Sequence, residues 1–443
     1  MDLAQTEAGL ILLGFLFAVL AFGVWIGLGL LCTGLVGVIV LPMLMSGMAP
    51  LPPEKVLGSS VWAALASWTL AALPLFIWMG EILFRTRLSE DMFKGLAPWV
   101  QRLPGRLMHV NVIGCGIFAA VSGSSAATAA TIGKMSLPAL TQRGYHQPMA
   151  IGSLAGAGTL GLLIPPSIVM IVYGVAAEVS IVRLFIAGII PGALLMLLFS
   201  GYIAVWSMMN PQLTPPADPP MSFRDKLKAS GQLIPVIGLV AFVMGSIYFG
   251  WATATEAAVF GVVGALALSA WGGTLNWGSF SASLMGAVRT SCMINLILAG
   301  AAFLTKAMAY SGIPAAMAEW VGAQGFSPFM IIAVLTVIYL VLGCFIDGIS
   351  MIVLTASVVL PIIAATGFDL IWFGIFIVLV VEMAQITPPV GFNLFVLQGL
   401  TGKDMLTVAR NTLPFFLLML AAVALVTLFP AIVTFLPNTM FGA

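Results

Sequence analysis

Between Glu7 and Glu54 the chain carries no charged residue. A helix rises about 1.5 Å per residue and the hydrocarbon core of a bilayer is about 30 Å thick, so this stretch is too long for one crossing and is expected to fold as two. The same character runs along the whole chain: of 443 residues, 61% are hydrophobic and 7% charged, where a soluble domain carries roughly 25% charged residues. That excludes a soluble enzyme, a nucleic-acid-binding domain and a disordered protein. A single-span anchor is excluded as well, because the apolar content is spread over the full length. Long apolar runs point to helices rather than to the short alternating strands of an outer-membrane barrel. The expected fold class is an all-α polytopic protein whose solvent is the lipid bilayer. Lys plus Arg is 16 and Asp plus Glu is 15, so net charge selects no class of partner.

Further spans are expected at about 66–85, 147–176, 181–208, 231–250, 254–272, 287–309, 370–400 and 412–436, about ten crossings in all. The segment Met1–Glu7 is acidic and lacks the basic region of a signal peptide, so the first apolar stretch is expected to remain as a helix. Residues 87–106 alternate charges with Phe93, Leu96 and Trp99, the pattern of an amphipathic helix on a membrane surface. Residues 210–228 are Pro-rich and then basic, and read as a linker close to the chain midpoint. Lys and Arg concentrate in 85–106, 134–143, 224–228 and 403–410. The positive-inside rule assigns these segments to the cytoplasm. Both termini are then periplasmic, and each half has an odd number of crossings.

The halves resemble each other. Leu163-Ile-Pro-Pro-Ser167 in the first is echoed by Ile386-Thr-Pro-Pro-Val390 in the second, with Pro165 and Pro388 offset by 223. The same offset carries Leu137-Pro138 onto Leu360-Pro361 and Ser124 onto Asp347, while Ala97-Pro-Trp-Val100 matches Ala318-Glu-Trp-Val321 at an offset of 221. Two copies with odd numbers of crossings are inverted relative to each other, the signature of secondary transporters. The expected division is a first repeat at 1–209, a cytoplasmic linker at 210–228 and a second repeat at 229–443. Each repeat is expected to hold a hairpin (about 110–140, and 328–365) and a broken helix (about 147–176, and 370–400).

The stretch Val121-Ser-Gly-Ser-Ser-Ala-Ala-Thr-Ala-Ala-Thr131 is too small and polar for a lipid-facing span, and its flanking arms are too short to cross alone. A re-entrant hairpin with its polar tip at mid-membrane satisfies both facts, since irregular backbone at that depth is tolerated only inside protein or along a water-filled cavity. Hydroxyl and carbonyl oxygens there can replace the water shell of Na⁺, and helix N-terminal amides favour anions. Small-residue helix packing uses the same residue types and is the competing explanation. In the second half Asp347 lies between the apolar arms 328–345 and 349–365. An intramembrane carboxylate costs about 2.5–3.5 kcal/mol on insertion scales and reads as a cation ligand, with a purely structural carboxylate as the alternative. Each Pro-Pro pair removes amides and frees carbonyls, from about Gly161 to Pro166 and from Gln385 to Pro389. A simple kink is the other reading.

Glu81, Glu256 and Glu382 are further intramembrane carboxylates whose roles stay open; Glu81 is spaced to pair with Arg85. Cys32, Cys115, Cys292 and Cys344 have no metal or disulfide spacing and are expected as small buried hydrophobes. His109 and His146 are isolated and expected near the surface, and no metal motif or cofactor motif is present.

Ile77-Trp-Met-Gly-Glu81, Ser122-Gly-Ser-Ser-Ala-Ala-Thr128, Ile164-Pro-Pro-Ser167, Thr255-Glu-Ala-Ala258 and Glu382-Met-Ala-Gln-Ile-Thr-Pro-Pro-Val-Gly-Phe-Asn393 together resemble the large membrane subunit of tripartite ATP-independent periplasmic (TRAP) transporters, over essentially the whole chain. Trp78 departs from the resemblance, where an aliphatic residue is expected. The resemblance implies an elevator-type carrier of inverted repeats in the bacterial inner membrane, coupled to Na⁺. It also implies a small four-helix membrane subunit, a separate polypeptide here, and a periplasmic binding protein that delivers an organic acid such as a C4-dicarboxylate or sialic acid. Carried over by position, one Na⁺ site uses Ser122, Ser124, Ser125 and the carbonyls around Gly161 and Ile164. The other uses Asp347, Gly348, the Met351 carbonyl, Thr387 and carbonyls near Pro388. Substrate lies near Ser125, Thr128, Ser350 and Asn393.

Three other functions compete. A stand-alone ion or anion exchanger of the same broad superfamily needs no soluble partner. An intramembrane serine hydrolase would rest on Gly123-Ser-Ser125, for which His146 is the only nearby base. A channel does not need broken helices in both halves.

Overall fold

A computed structural model describes residues 3–44, 52–86, 88–219, 221–231, 233–389 and 391–441, and among these residues the chain is helical with no strand. The first half holds α1 (Leu3–Ala21), α2 (Ile26–Leu44), α3 (Pro53–Leu65), α4 (Ala72–Phe84), α5 (Leu88–Val100), α6 (Met108–Ser122), α7 (Ser125–Gln142), α8 (Gln147–Leu163), α9 (Ile168–Ala176) and α10 (Ile181–Met209). After the linker come α11 (Phe223–Ala229), α12 (Ile234–Tyr248), α13 (Ala254–Trp271), α14 (Trp277–Ser311), α15 (Ile313–Ala323), α16 (Pro328–Gly343) and α17 (Gly348–Ala365). The chain closes with α18 (Leu370–Gln385), α19 (Phe392–Thr401), α20 (Met405–Leu428) and α21 (Ala431–Phe441). Met1, Asp2, Arg87, Pro220 and Val390 lie outside the described residues.

Local chemistry sets the breaks. α6 stops because Gly123 takes a left-handed conformation (φ 57°), and Ser124 then caps α7 by accepting the Ala127 amide. α8 and α9 bend by 43° where Pro165 and Pro166 interrupt the ladder, and α9 restarts on the Ser167 cap. Pro388-Pro389 separates α18 from α19 in the same way, and both Pro–Pro bonds are cis.

Some spans differ from the sequence reading. α3 was not expected: Pro53 and Glu54 open a helix that takes proline and acid in its first turn, and it bends 56° into the next segment. α14 runs for 35 residues, well beyond the expected 287–309. It starts on the Asn276 cap and ends at the left-handed Gly312, with Arg289 and Lys306 exposed along it. The expected span at 412–436 divides into α20 and α21 at Phe429 and Pro430. The cysteine expectation holds only at Cys115; Cys344 is half-buried, and Cys32 and Cys292 are exposed. His109, expected near the surface, is buried, its ring bonded to the Pro104 carbonyl at 2.6 Å.

The helices pack in two groups, each drawing on both halves of the chain. α14 lies along α2, α3 and α4, and α13 joins α4 to α12; these form a frame with α1. The second group is built on α8, which is wrapped by α6, α7, α10, α18 and α20. Exposed Trp251 stands at one end of α13, and exposed Trp271 and Trp277 stand at the other. The eighteen residues of α13 span about 27 Å, close to the hydrocarbon core of about 30 Å.

Candidate functional site

The first hairpin tip is fastened by its own hydroxyls. Ser122 Oγ and Thr128 Oγ1 share a hydrogen bond of 2.7 Å, and Thr128 Oγ1 also lies 2.8 Å from the Ser124 carbonyl. Ser125 donates to the Thr159 carbonyl of α8 at 3.3 Å. α8 reaches the tip only because position 161 is glycine: a Cβ there would stand 2.6 Å from the carbonyl of Ser124. Ser122, Ser124, Ser125 and Gly161 are therefore one oxygen-rich cluster. The Ile164 side chain leaves it to pack towards Gly116 of α6 and Gly192 of α10.

The second tip repeats the plan with a carboxylate. Asp347 caps α17: its Oδ2 accepts the amides of Ile349 and Ser350, both at 3.1 Å, and its Oδ1 accepts the Ser350 hydroxyl at 2.5 Å. Glycines again permit the approach to the broken helix, for a Cβ on Gly343 would stand 2.2 Å from Ala384 Cβ and one on Gly348 2.3 Å from Val381. Cys344 Sγ donates to the Pro388 carbonyl at 3.2 Å, tying tip to break. Thr387 Oγ1 turns back to the Met383 carbonyl at 2.7 Å. The Met351 carbonyl, in the first turn of α17, accepts the Thr355 hydroxyl at 2.9 Å.

Between the tips and the frame lies a cavity of about 510 Å³. The first turns of α7, α9, α17 and α19 line it, so four helix N-termini border the cavity. Of the positions expected to meet substrate, Ser125 lines the cavity. Thr128, Ser350 and Asn393 are fully buried beside it, and the amide of Asn393 has no hydrogen-bond partner among the described residues.

Sequence reasoning named Glu81 without a role and Gln385 only for its backbone, and missed the rest of the far wall. The wall is formed by α4 through Ile77, Gly80, Glu81 and Phe84, and by α14 through Thr290 and Met293. Gln385, on the last turn of α18, was the legible member, a polar side chain just before Pro388. The wall fits closely at Gly80, where a Cβ would stand 2.8 Å from the Val121 carbonyl of the first tip.

The remaining glutamates separate into distinct roles. Glu81 forms an ion pair with Arg85 at 3.1 Å, and Arg85 also reaches the Ala282 carbonyl of α14. Trp78, the departure from the family pattern, donates to Ser283 Oγ at 3.3 Å and seats its ring edge-on to Phe280, so an indole joins α4 to α14. Glu256 closes a capping box with Thr253 at the start of α13. Glu382 is fully buried, its carboxyl set against the backbone of Leu162 and Leu163 without a well-formed hydrogen bond. No group of three or more His, Cys, Asp or Glu able to hold a metal ion occurs among the described residues.

A family model described as "Tripartite ATP-independent periplasmic transporter, DctM component" matches residues 13–432. The C4-dicarboxylate TRAP transporter large permease protein DctM of Pseudomonas aeruginosa is 34% identical over 376 residues, covering 84% of this chain and 86% of that protein. The ectoine/5-hydroxyectoine TRAP transporter large permease protein UehC of Ruegeria pomeroyi is 30% identical over 387 residues, covering 86% and 88%. The crystal structure of the Alcanivorax borkumensis YdaH transporter superposes with a TM-score of 0.61 over 92% of this chain and 97% of that one, at 15% identity, a likeness of fold alone. With the match running almost end to end, the chain belongs to the DctM family of TRAP large permeases, multi-pass membrane transport components and not enzymes.

Proposed function

We propose that this permease takes up a small organic acid together with Na⁺ across the bacterial inner membrane, the acid being delivered by a periplasmic binding protein. One observation carries the reading. Glu81 and Asp347 line the cavity, and no Lys or Arg does so among the described residues. A carboxylate substrate entering alone would meet like charge. Na⁺ held as co-substrate beside Asp347 cancels that charge and leaves the N-termini of α7, α9 and α17 to attract the acid.

The oxygen donors of both tips suit a hard monovalent cation. Ser122, Ser124, Ser125 and the backbone at Gly161 and Ile164 would hold one Na⁺. Asp347, Gly348, Thr387 and the backbone near Pro388 would hold another, with Met351 in the first turn of α17. Ser125, Thr128, Ser350 and Asn393 would surround the substrate. The C4-dicarboxylate and ectoine named for the two relatives both bear a carboxylate, which is the substrate feature proposed here.

Alternating access follows if the hairpin group slides against the frame as an elevator, the division at 210–228 separating two inverted repeats. The frame's exposed apolar side would receive the small four-helix subunit. Both termini would be periplasmic, from the Lys and Arg distribution.

The test is reconstitution in sealed vesicles. The chain with its small subunit and a loaded binding protein is expected to accumulate the acid under an inward Na⁺ gradient, and to stop when any component or the gradient is removed. Robust Na⁺-driven uptake by the chain alone would replace this reading with the stand-alone exchanger.

A further inference from the structure

A second cavity, of about 420 Å³, lies on the other side of the first hairpin, between α5, the linker and α11. Its walls carry Lys94, Arg102, Arg143 and Lys226 against a single acid, Asp218. A quarter of the 16 basic residues of the chain thus face one small space. Asp218 offsets only Arg143, which it meets at 2.5 Å while accepting from Gln101 at 2.9 Å; this pins the linker against the corner between α7 and α8 and leaves Lys94, Arg102 and Lys226 to make the space cationic.

The rim has the opposite character. Met221 of the lining is exposed, and so are Trp99, Leu103, Phe223 and Leu227, each one or two residues from a lining position, Phe223 to 70%. Trp99 and Phe223 meet edge to face at 5.9 Å, and Lys226 lies over the Trp99 ring at 5.6 Å. Exposed apolar groups around a cationic pocket beside an amphipathic helix match the headgroup level of a bilayer, where apolar bodies enter the acyl boundary and bases meet phosphate. The matching arm in the second half, α15, holds no Lys or Arg, so the pocket belongs to one membrane face only.

We propose that this cavity binds the phosphate-bearing headgroup of an acidic phospholipid, with the acyl chains lying over the apolar rim. A free phosphate offers the same anion but leaves the rim in water. The bound lipid would bridge α5, the linker and, through Arg143, the base of the first hairpin. The assignment does not depend on the substrate or on Na⁺ coupling.

The probe is phosphatidylglycerol in phosphatidylcholine nanodiscs holding the full chain, read by native mass spectrometry and by melting temperature. Wild type is expected to retain phosphatidylglycerol and to melt higher with it. Lys94→Gln/Arg102→Gln/Lys226→Gln should bind it on the order of a hundredfold more weakly and lose the shift. Arg102→Gln alone, at an exposed position, should lose about fivefold and serves if the triple variant is unstable. Lys94→Arg/Lys226→Arg should keep both signals, as should Lys403→Gln/Arg410→Gln, which removes charge elsewhere. Equal retention by wild type and the triple variant would reduce these bases to topology signals and overturn the site. So would equal loss in the Lys403/Arg410 control, and the same melting shift from inorganic phosphate in pure phosphatidylcholine would assign the pocket to the free anion instead.

Discussion

Ser124 and Asp347, 223 residues apart, hold the same station in the two hairpins: each is the N-cap of the helix that leaves the tip. One offers a neutral hydroxyl to a single amide, and the other a carboxylate to two amides and a hydroxyl. The pairing lets the cap be told apart from the cation role proposed for Asp347, because capping needs only an acceptor whereas cation binding needs the charge.

Asp347→Asn should therefore leave the fold nearly as stable, since Asn and Asp cap equally well. Its half-saturating Na⁺ concentration for uptake should rise strongly, the Coulomb attraction at about 4 Å being about 4 kcal/mol at an effective dielectric of 20 before compensation. Asp347→Ala should show the same Na⁺ defect and also lose about 1 kcal/mol of stability. Uptake against Na⁺, normalised to folded protein, reads both. An unchanged Na⁺ requirement in the Asn variant would remove Asp347 from the ligand set.

Gly161→Ala should abolish transport and destabilise by about 1–3 kcal/mol, because the added methyl meets the backbone of Ser124, which cannot swing aside as a side chain can. Gly201→Ala in α10, where a Cβ meets nothing within 4 Å, should leave uptake unchanged. Wild-type uptake by Gly161→Ala would show that the tip can separate from α8 without loss.

Glu382→Leu should melt higher than wild type, by on the order of 1–3 kcal/mol, because it removes a buried carboxyl that lacks a good partner. Transport should fall all the same, since Glu382 spans from the second broken helix to the Leu162–Leu163 turn of the first. A thermal melt and an uptake assay on one preparation decide it. A variant both more stable and fully active would leave Glu382 without a role.

Asp404, outside the spans, caps α20, and the hydroxyl and amide of Thr407 hold its carboxyl below the usual carboxylate range. Because the folded value is lowered, the contribution is fully present above the unfolded value near pH 4 and disappears as pH falls through the folded one. The melting difference between wild type and Asp404→Ala should thus shrink on acidification below that range. Asp404→Asn should keep the cap with a flatter pH response.

The hairpins and broken helices were legible in sequence because each is marked by residues that a lipid-facing helix rejects: serines and glycines at 122–125, a lone Asp347, and two Pro-Pro pairs. The far wall of the cavity was not legible, since Ile77, Phe84 and Met293 read as ordinary apolar positions and acquire their meaning only when α4 and α14 are packed. No element is expected at 53–65 from the sequence, although Pro53 and Glu54 suit the first turn of a helix. That the Met351 carbonyl accepts the Thr355 hydroxyl is not legible either, because position in a motif does not tell which groups meet a carbonyl.

The placement of the two cavity carboxylates has an electrical consequence. Glu81 lies on α4 with Arg85 as counter-ion, whereas Asp347 lies at a hairpin tip. Under the proposed elevator movement the charge of Asp347, and not that of Glu81, would travel through the membrane field. Each elementary charge that crosses the full field is worth about 2.3 kcal/mol per 100 mV. A negative interior would then push the empty, anionic tip outward and resist its inward return, until a cation seated at Asp347 cancels the charge. The membrane voltage would thereby reset the unloaded carrier, a displacement current that Asp347→Asn should silence.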